Sequence, residues 1–380
     1  MAKPKIIAVV GTRPDAIKTA PVVRELRRFD AVETVLVSTG QHREMLAQAL
    51  GAFDLAPDHD LGIMQHGQTL ADMTRRVLEG LDPLLASLQP QLILAQGDTT
   101  TTFVAALASF YRRVPFGHVE AGLRTESVAE PFPEEFNRRA AALVAAQHYA
   151  PTPWAAENLL NEGHQPETVF VTGNTGIDAV RHVADQTALT WYPDWTGRVV
   201  VLTTHRRENL GAPQREIAEA ALEVARAHPD VLLVVPMHRN PAVRETLVSV
   251  LGGQERVDLI EPPDYADFVK LMQRSALILT DSGGVQEEAP AFGVPVLVLR
   301  HTTERPEGVQ AGAAKLVGTD KTSIVTAADE LLAAKAGSRP SSPYGDGRAA
   351  QRIRYLALRE LGVESPMEDM WTGFKRLSTE

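Results

Sequence analysis

The chain contains no cysteine. That absence excludes disulfide staples, thiolate nucleophiles and any cysteine-built zinc site. No apolar run approaches the length of a membrane span; the longest are strand-sized, such as Val231 to Val235. The opening Met1-Ala2-Lys3-Pro4-Lys5 leads directly into a strand-like segment, without the apolar stretch or small-residue cleavage site of a signal peptide. Positive charge is in short supply: 38 Lys and Arg face 48 Asp and Glu, a net charge of −10 at pH 7. Nucleic acid and anionic membrane are therefore poor candidates for the main partner. Neither G-x-G-x-x-G nor G-x-x-x-x-G-K-[ST] occurs, so the dinucleotide fingerprint and the P-loop are both missing. These absences lead to the expectation of a soluble cytoplasmic protein.

What is present is a regular alternation. At 380 residues, with 44% hydrophobic and 23% charged residues, the chain exceeds one ordinary core and matches globular composition. Ile6–Val10, Thr34–Thr39, Gln91–Ala95, Pro115–Val119 and Val169–Thr172 read as buried strands. Thr69–Leu88, Thr99–Arg112 and Glu134–Ala146 carry apolar residues at helical spacing, and Pro21 is expected to kink or break the first helix. The pattern restarts at Arg198–Thr203 and continues through Val231–Val235, Val257–Ile260, Leu277–Thr280 and Val294–Leu299. Gly-Asn-Thr-Gly, within Gly173–Ile177, marks the boundary, and Ser338–Pro343 reads as a loop. The expected fold is α/β, with two Rossmann-like, doubly wound parallel-sheet domains and a cleft facing the carboxyl ends of both sheets.

Polar motifs fall at those strand ends. Val10-Gly11-Thr12-Arg13-Pro14 places a glycine turn after the first strand, with Arg13 and Lys18 supplying positive charge; on pattern alone, a tight turn bearing two solvated cations explains it equally well. Gln96-Gly97-Asp98-Thr99 and His118-Val119-Glu120-Ala121-Gly122-Leu123-Arg124 end two further strands. Asp98 is either a helix cap or a ligand-facing carboxylate. Two carboxylates at adjacent strand ends suit acid and base roles. Glu134 and Arg138, four apart in Pro133-Glu134-Glu135-Phe136-Asn137-Arg138, form a surface ion pair on the plainest reading. In the second half, Thr203-Thr204-His205-Arg206-Arg207 gathers charge suited to a phosphate or a leaving pyrophosphate, and Pro236-Met237-His238-Arg239 repeats the theme more weakly. The strongest signal is Thr280-Asp281-Ser282-Gly283-Gly284-Val285-Gln286-Glu287-Glu288, where a strand, two glycines and a helix start suit a diphosphate. Glu288 is placed to accept from ribose hydroxyls, and Arg305 to return to the same region.

In this order, from Gly11-Thr12-Arg13-Pro14 to Pro343-Tyr344-Gly345-Asp346-Gly347, the motifs resemble the non-hydrolysing UDP-N-acetylglucosamine 2-epimerases over almost the whole chain. The resemblance implies a GT-B-like fold, with domains at 1–173 and 174–363 and a C-terminal helix at 364–380 packing back on the first. It implies interconversion of UDP-N-acetylglucosamine and UDP-N-acetylmannosamine, supplying precursor for cell-surface polysaccharide, with no NAD or metal cofactor. UDP is eliminated to a 2-acetamidoglucal and added back after reprotonation of C2. Asp98, Glu120 and Glu134 become the acid/base candidates, with Arg138 and His205 as catalytic or charge-stabilising residues. Arg13, Lys18, Ser282, Gly283, Gly284, Glu288 and Arg305 look like nucleotide-sugar contacts, along with Asp98, Glu120 and His205, and Phe268 like the nucleobase end.

The resemblance also implies a homodimer and, in many members, activation by a second substrate molecule. Gln41, His42, Gln68, Arg207 and His238 fit the activating segments. The chain departs from the family at Pro263, often glutamine, and at Gly67, where some members have arginine. A hydrolysing 2-epimerase releasing UDP and N-acetylmannosamine is the nearest alternative, followed by a GT-B glycosyltransferase. A nucleotide-sugar-binding regulator fits less well, because phosphate binding alone does not call for carboxylates.

Overall fold

The computed structural model describes residues 3–40, 43–65, 67–188, 190–303, 305–334 and 342–373. By packing, the chain divides into two compact units. One runs to Ala179 and takes the chain in again from Tyr344; the other runs from Val180 to Pro343.

The first unit is built on seven parallel strands: β1 (Lys5–Val10), β2 (Glu33–Ser38), β3 (His59–Asp60), β4 (Leu92–Gln96), β5 (Phe116–Val119), β6 (Gln147–Ala150) and β7 (Val169–Val171). Their order is β3-β2-β1-β4-β5-β6-β7. Ile6, Ile7, Ala8, Leu92, Ile93 and Leu94 are all fully buried, the signature of a parallel sheet covered on both faces. The second unit has six parallel strands, β8 (Arg198–Thr203), β9 (Val231–Pro236), β10 (Val257–Ile260), β11 (Leu277–Thr280), β12 (Val296–Val298) and β13 (Ala314–Leu316). They run β10-β9-β8-β11-β12-β13.

Each sheet reverses its winding once, between β1 and β4 in the first unit and between β8 and β11 in the second. Loops leaving the two strands at such a point diverge to opposite faces and open a crevice at the carboxyl ends. Four of the motifs follow these four strands: Gly11-Thr12, Gly97-Asp98, Thr204-His205 and Asp281–Gly284. Topology thus selects them from the many polar loops of the chain.

Several expectations need correction. The helix Arg13–Arg27 runs unbroken through Pro21. Proline removes one backbone donor, but Val22, Val23 and Leu26 beyond it are fully buried, and that packing carries the helix through the gap. The third expected helix stops at Ala142 rather than Ala146. The helix Thr175–Gln186 begins just after the expected boundary, and the chain changes unit within it, between Ala179 and Val180. Residues 363–373 form no helix, and 374–380 lie outside the described residues, as do 338–341 of the expected loop. The returning helix is Ala349–Glu360 instead, whose Ile353, Leu356 and Ala357 join Ile6, Val22, Leu92 and Tyr149 in one core. Asp178 meets that helix at its start, accepting from Ala349 N (3.2 Å) and Ala350 N (2.8 Å). Burial pushes the Asp178 carboxyl up to about 7 against the pull of these two bonds. Among the described residues, no helix is long and apolar enough to cross a membrane.

Candidate active site

The first unit gathers carboxylates and their cations. Gly11 follows β1, and a Cβ there would lie 2.1 Å from Thr101 Oγ1, so only glycine lets the turn close against the helix Thr100–Arg112. Thr12 caps the helix Arg13–Arg27 in a capping box with Asp15, which puts half-buried Arg13 in the first turn and Lys18 in the second. Asp15 Oδ2 also accepts from Gly11 N (3.3 Å) and Thr99 Oγ1 (3.1 Å), joining the loops after β1 and β4. Burial pushes its carboxyl up to about 6.

Glu120, at the end of β5, receives Lys18 Nζ at 2.5 Å and Gln96 Nε2 at 2.9 Å on the same oxygen. Its backbone is left-handed, with φ 61°, which costs a non-glycine residue about 1–2 kcal/mol. Asp98 is half-buried and is gripped by Arg138 through both Nε (3.1 Å) and Nη2. It does not cap the following helix; Thr99 does, accepting from Thr102 N. Arg138 also donates from Nη1 to Glu135 Oε2 at 2.9 Å, and Arg139 Nε reaches Glu135 Oε1 at 2.6 Å. The expected surface pair of Glu134 with Arg138 is thus replaced by a buried network: Arg138 and Glu135 face inward, whereas Glu134 is half-buried at the first position of its helix. His118 is fully buried, and its Nε2 lies 2.8 Å from Gly97 O. Burial lowers its pKa to about 4, so the ring is neutral and Nε2–H donates to that carbonyl, fixing the turn that precedes Asp98.

The second unit gathers cations and glycines. Asp281, fully buried at the end of β11, accepts from Thr204 Oγ1 (2.9 Å), His205 N (3.0 Å), Arg206 N (3.0 Å) and Asn209 Nδ2 (2.9 Å). Its Oδ1 lies 3.2 Å from His205 Nδ1. Burial alone would raise this carboxyl; the hydrogen bonds from His205 and Arg206 overcome it and hold the group at about 2. The His205 ring stacks on His238, with centroids 5.6 Å apart. His238 is pushed below the usual histidine range by burial and by His205.

The helix Gly283–Glu288 begins directly after Ser282 and is only six residues long. A Cβ on Gly283 would fall 2.7 Å from Arg305 Nη1, so the missing side chain is what admits the guanidinium. Arg305 Nε is bonded to Glu287 Oε1 at 2.6 Å. Glu288 is on the same helix, with Oε1 3.9 Å from the Cβ position of Gly284. Phe268 is half-buried on the helix Tyr265–Arg274. Of the expected activating residues, Gln68 lies in the first unit, bonded to Gln65 N (3.3 Å), and exposed Arg207 and His238 in the second; Gln41 and His42 lie outside the described residues. Among the described residues, no cluster of three or more His, Asp or Glu side chains could hold a metal ion.

Comparison with known proteins decides the family. The family model described as UDP-N-acetylglucosamine 2-epimerase matches residues 24–356. The chain belongs to the UDP-N-acetylglucosamine 2-epimerase family. It is 47% identical over 379 residues to the Bacillus subtilis UDP-N-acetylglucosamine 2-epimerase, covering 98% of this chain and all of the relative. It is 48% identical to the Escherichia coli K12 enzyme, covering 92% and 97%. A solved Neisseria meningitidis UDP-GlcNAc 2-epimerase bound to UDP-GlcNAc superposes with a TM-score of 0.86 at 42% identity, covering 93% of this chain and all of that one. A glycosyltransferase structure at 14% identity, with a TM-score of 0.59, shares the GT-B-like fold alone.

Four residues bonded to the candidate side chains or joining their loops carry no role in the sequence pattern: Asp15, Gln96, Glu135 and Asp281. The Thr12-x-x-Asp15 spacing is a capping-box signal and was available. Nothing local marks Glu135 over Glu134, because which one turns inward depends on how the loop before the helix enters.

Proposed function

We propose that this chain catalyses reversible epimerisation at C2 of UDP-N-acetylglucosamine, giving UDP-N-acetylmannosamine by elimination and re-addition of UDP. The observation that carries this reading is a pair of carboxylates at the ends of neighbouring strands, Asp98 after β4 and Glu120 after β5, each bound to its own cation. Binding a nucleotide diphosphate calls for cations; carboxylates among them signal proton transfer. A carboxylate of the first unit takes the proton from C2, the C2–H pair becomes the C1=C2 double bond, and the C1–O pair leaves on the β-phosphate oxygen. Asp98, Glu120 and Glu134 are the acid/base candidates, and Lys18 and Arg138 aim two of them. His205 and Arg305 neutralise the departing diphosphate, with Ser282, Gly283 and Gly284 providing close backbone approach. Glu288 takes the ribose hydroxyls and Phe268 the nucleobase. Protonation of the glycal at C2 from the other face, with return of UDP to C1, completes the exchange. Arg13 lies one turn from Lys18 and serves the sugar or the phosphates.

A homodimer belongs to the same reading. Phe110, Tyr111, Phe136 and Leu143 leave the neighbouring helices Thr100–Arg112 and Glu134–Ala142 and their ends 49–80% exposed, an apolar patch a second copy would cover. Activation by a second substrate molecule through Gln68, Arg207 and His238, and a cytoplasmic location for this acidic, cysteine-free chain, complete the proposal.

The test is proton NMR of the protein with UDP-N-acetylglucosamine in D2O, without added NAD or metal. UDP-N-acetylmannosamine carrying deuterium at C2 is the expected product. Accumulation of free UDP and N-acetylmannosamine would instead establish a hydrolysing enzyme, and an unchanged, bound substrate would leave a transferase or a binding protein.

A further inference from the structure

Glu120 is held in a left-handed backbone conformation that its own side chain disfavours, with φ 61°. Something must hold it there. Lys18 and Gln96 grip the carboxylate, but they grip the side chain rather than the backbone. The loop that follows, Ala121 to Arg124, is fastened at successive residues. Ala121 N donates to Tyr149 O at 3.1 Å on β6. Gly122 lies so close to the helix Pro153–Asn161 that a Cβ on it would be 2.1 Å from Ala155 O, and its φ of 93° is itself left-handed. Asn158, from the middle of that helix, donates Nδ2–H to Gly122 O at 2.9 Å. Arg124 closes the loop with a two-pronged pair to Glu162, the residue that ends the helix, Nε and Nη2 each at 2.7 Å from a carboxylate oxygen. The Arg124 side chain is only 8% exposed, so this pair is not an ordinary surface contact. Arg124 in turn holds the Glu162 carboxyl below the usual range.

We infer that Asn158 and Glu162 are positioning residues for Glu120, acting through the Gly122–Arg124 loop. Neither touches Lys18, Gln96 or Glu120 in any bond given above. Their helix is fastened to the unit independently, with Ala155 and Leu159 fully buried, so it serves as a fixed rail against which the strained turn is clamped. Releasing the rail lets residue 120 relax toward extended backbone, which swings its carboxylate away from Lys18. The inference rests on the reading of Glu120 as an acid/base group.

The experiment uses the full chain with Asn158→Ala, Glu162→Gln and, as reference, Glu120→Gln. Initial rates, deuterium uptake at C2 in D2O and the affinity for UDP are measured for each. Asn158→Ala and Glu162→Gln are expected to lower kcat and C2 exchange at least tenfold, with UDP affinity unchanged and KM within twofold. Hydrogen exchange of the 121–125 amides is expected to rise while that of β4 and β5 stays low. Wild-type rates in both variants, with Glu120→Gln inactive, would overturn the positioning role alone. Full activity of Glu120→Gln would overturn the reading of Glu120 beneath it. A joint loss of kcat, UDP affinity and melting temperature would mark the rail as merely structural and likewise overturn the inference. Glu162 lies at the helix end and is partly exposed, so its variant keeps the question open to measurement if Asn158→Ala fails to fold.

Discussion

Replacing Asp281 by Asn tests how the second unit positions His205. The carboxylate is fully buried, yet burial has not neutralised it, because donors converge on it from Thr204, His205, Arg206 and Asn209. The fall from 3.8 to about 2 favours the ionised form by roughly 2–3 kcal/mol in the folded state. An amide keeps the shape but offers one acceptor where two stood, so donors are stranded in a dry site, and the total loss is about 3–5 kcal/mol. For a unit of this size each kcal/mol moves the melting temperature by about 2–4 °C, so calorimetry at pH 7.5 should find the variant lower by about 10 °C. The pH dependence has a fixed sign. A carboxyl depressed on folding contributes stability above its unfolded pKa of 3.8, and that contribution disappears as pH falls through about 2. The gap between native and variant should therefore be widest above pH 5 and narrow toward pH 3. Turnover should fall at least a hundredfold, since the His205 ring loses the oxygen 3.2 Å from its Nδ1. A variant melting within 2 °C of the native protein at pH 7.5 would refute the reasoning.

Asp178 predicts the opposite slope. Its carboxyl is raised from 3.8 to about 7, so the folded state holds a proton that the unfolded state has released, and native stability declines as pH rises through 7. Asp178→Asn should gain on the native protein by up to about 4 kcal/mol between pH 4 and pH 8, and a pH-independent difference in unfolding would contradict this. Arg138→Lys keeps the charge but loses the planar fork that spans Asp98 and Glu135; kcat should fall roughly a hundredfold, and near-native turnover would remove Arg138 from the mechanism. Gly11→Ala forces a methyl within 2.1 Å of Thr101 Oγ1; an overpacking cost of about 1–3 kcal/mol and a kcat/KM loss of tenfold or more are expected, and unaltered kinetics would show that the turn can yield.

The parts of the fold legible in sequence were those governed by apolar burial. Leu277–Thr280 coincides with β11 because a continuous, fully buried branched run has few other uses, whereas Val257–Ile260 matches β10 although Asp258 interrupts it and the strand is only half-buried. β6 carries no strand signal in sequence, because Gln147 and His148 look polar although both are buried. Gln147 earns its interior place through Glu360, 213 residues away, and no local window contains that partner. β3 and β13 are too short to carry a period. At the site, strand ends pointed to Asp98, Glu120 and His205, but the partners that orient them were not visible. Gln96 reaches Glu120 across 24 residues and Asp281 reaches His205 across 76. The outward expectation for Arg138 followed helix spacing, which cannot anticipate a competing acceptor 40 residues earlier.

The return of Ala349–Glu360 to the first core bears on how the protein is made. A ribosome delivers β1 to β7 first, yet Ile6, Val22 and Leu92 must wait for Ile353 and Leu356 to emerge before their shared core closes. The Val180–Pro343 stretch of the second unit leaves the ribosome earlier. Synthesis therefore leaves the carboxylate-bearing unit unfinished for longest, with exposed apolar surface that invites chaperone capture. A premature stop near residue 343 would spare every residue assigned to the chemistry and still leave the core of Ile6, Val22, Leu92 and Tyr149 uncovered on the face that Ala349–Glu360 occupies.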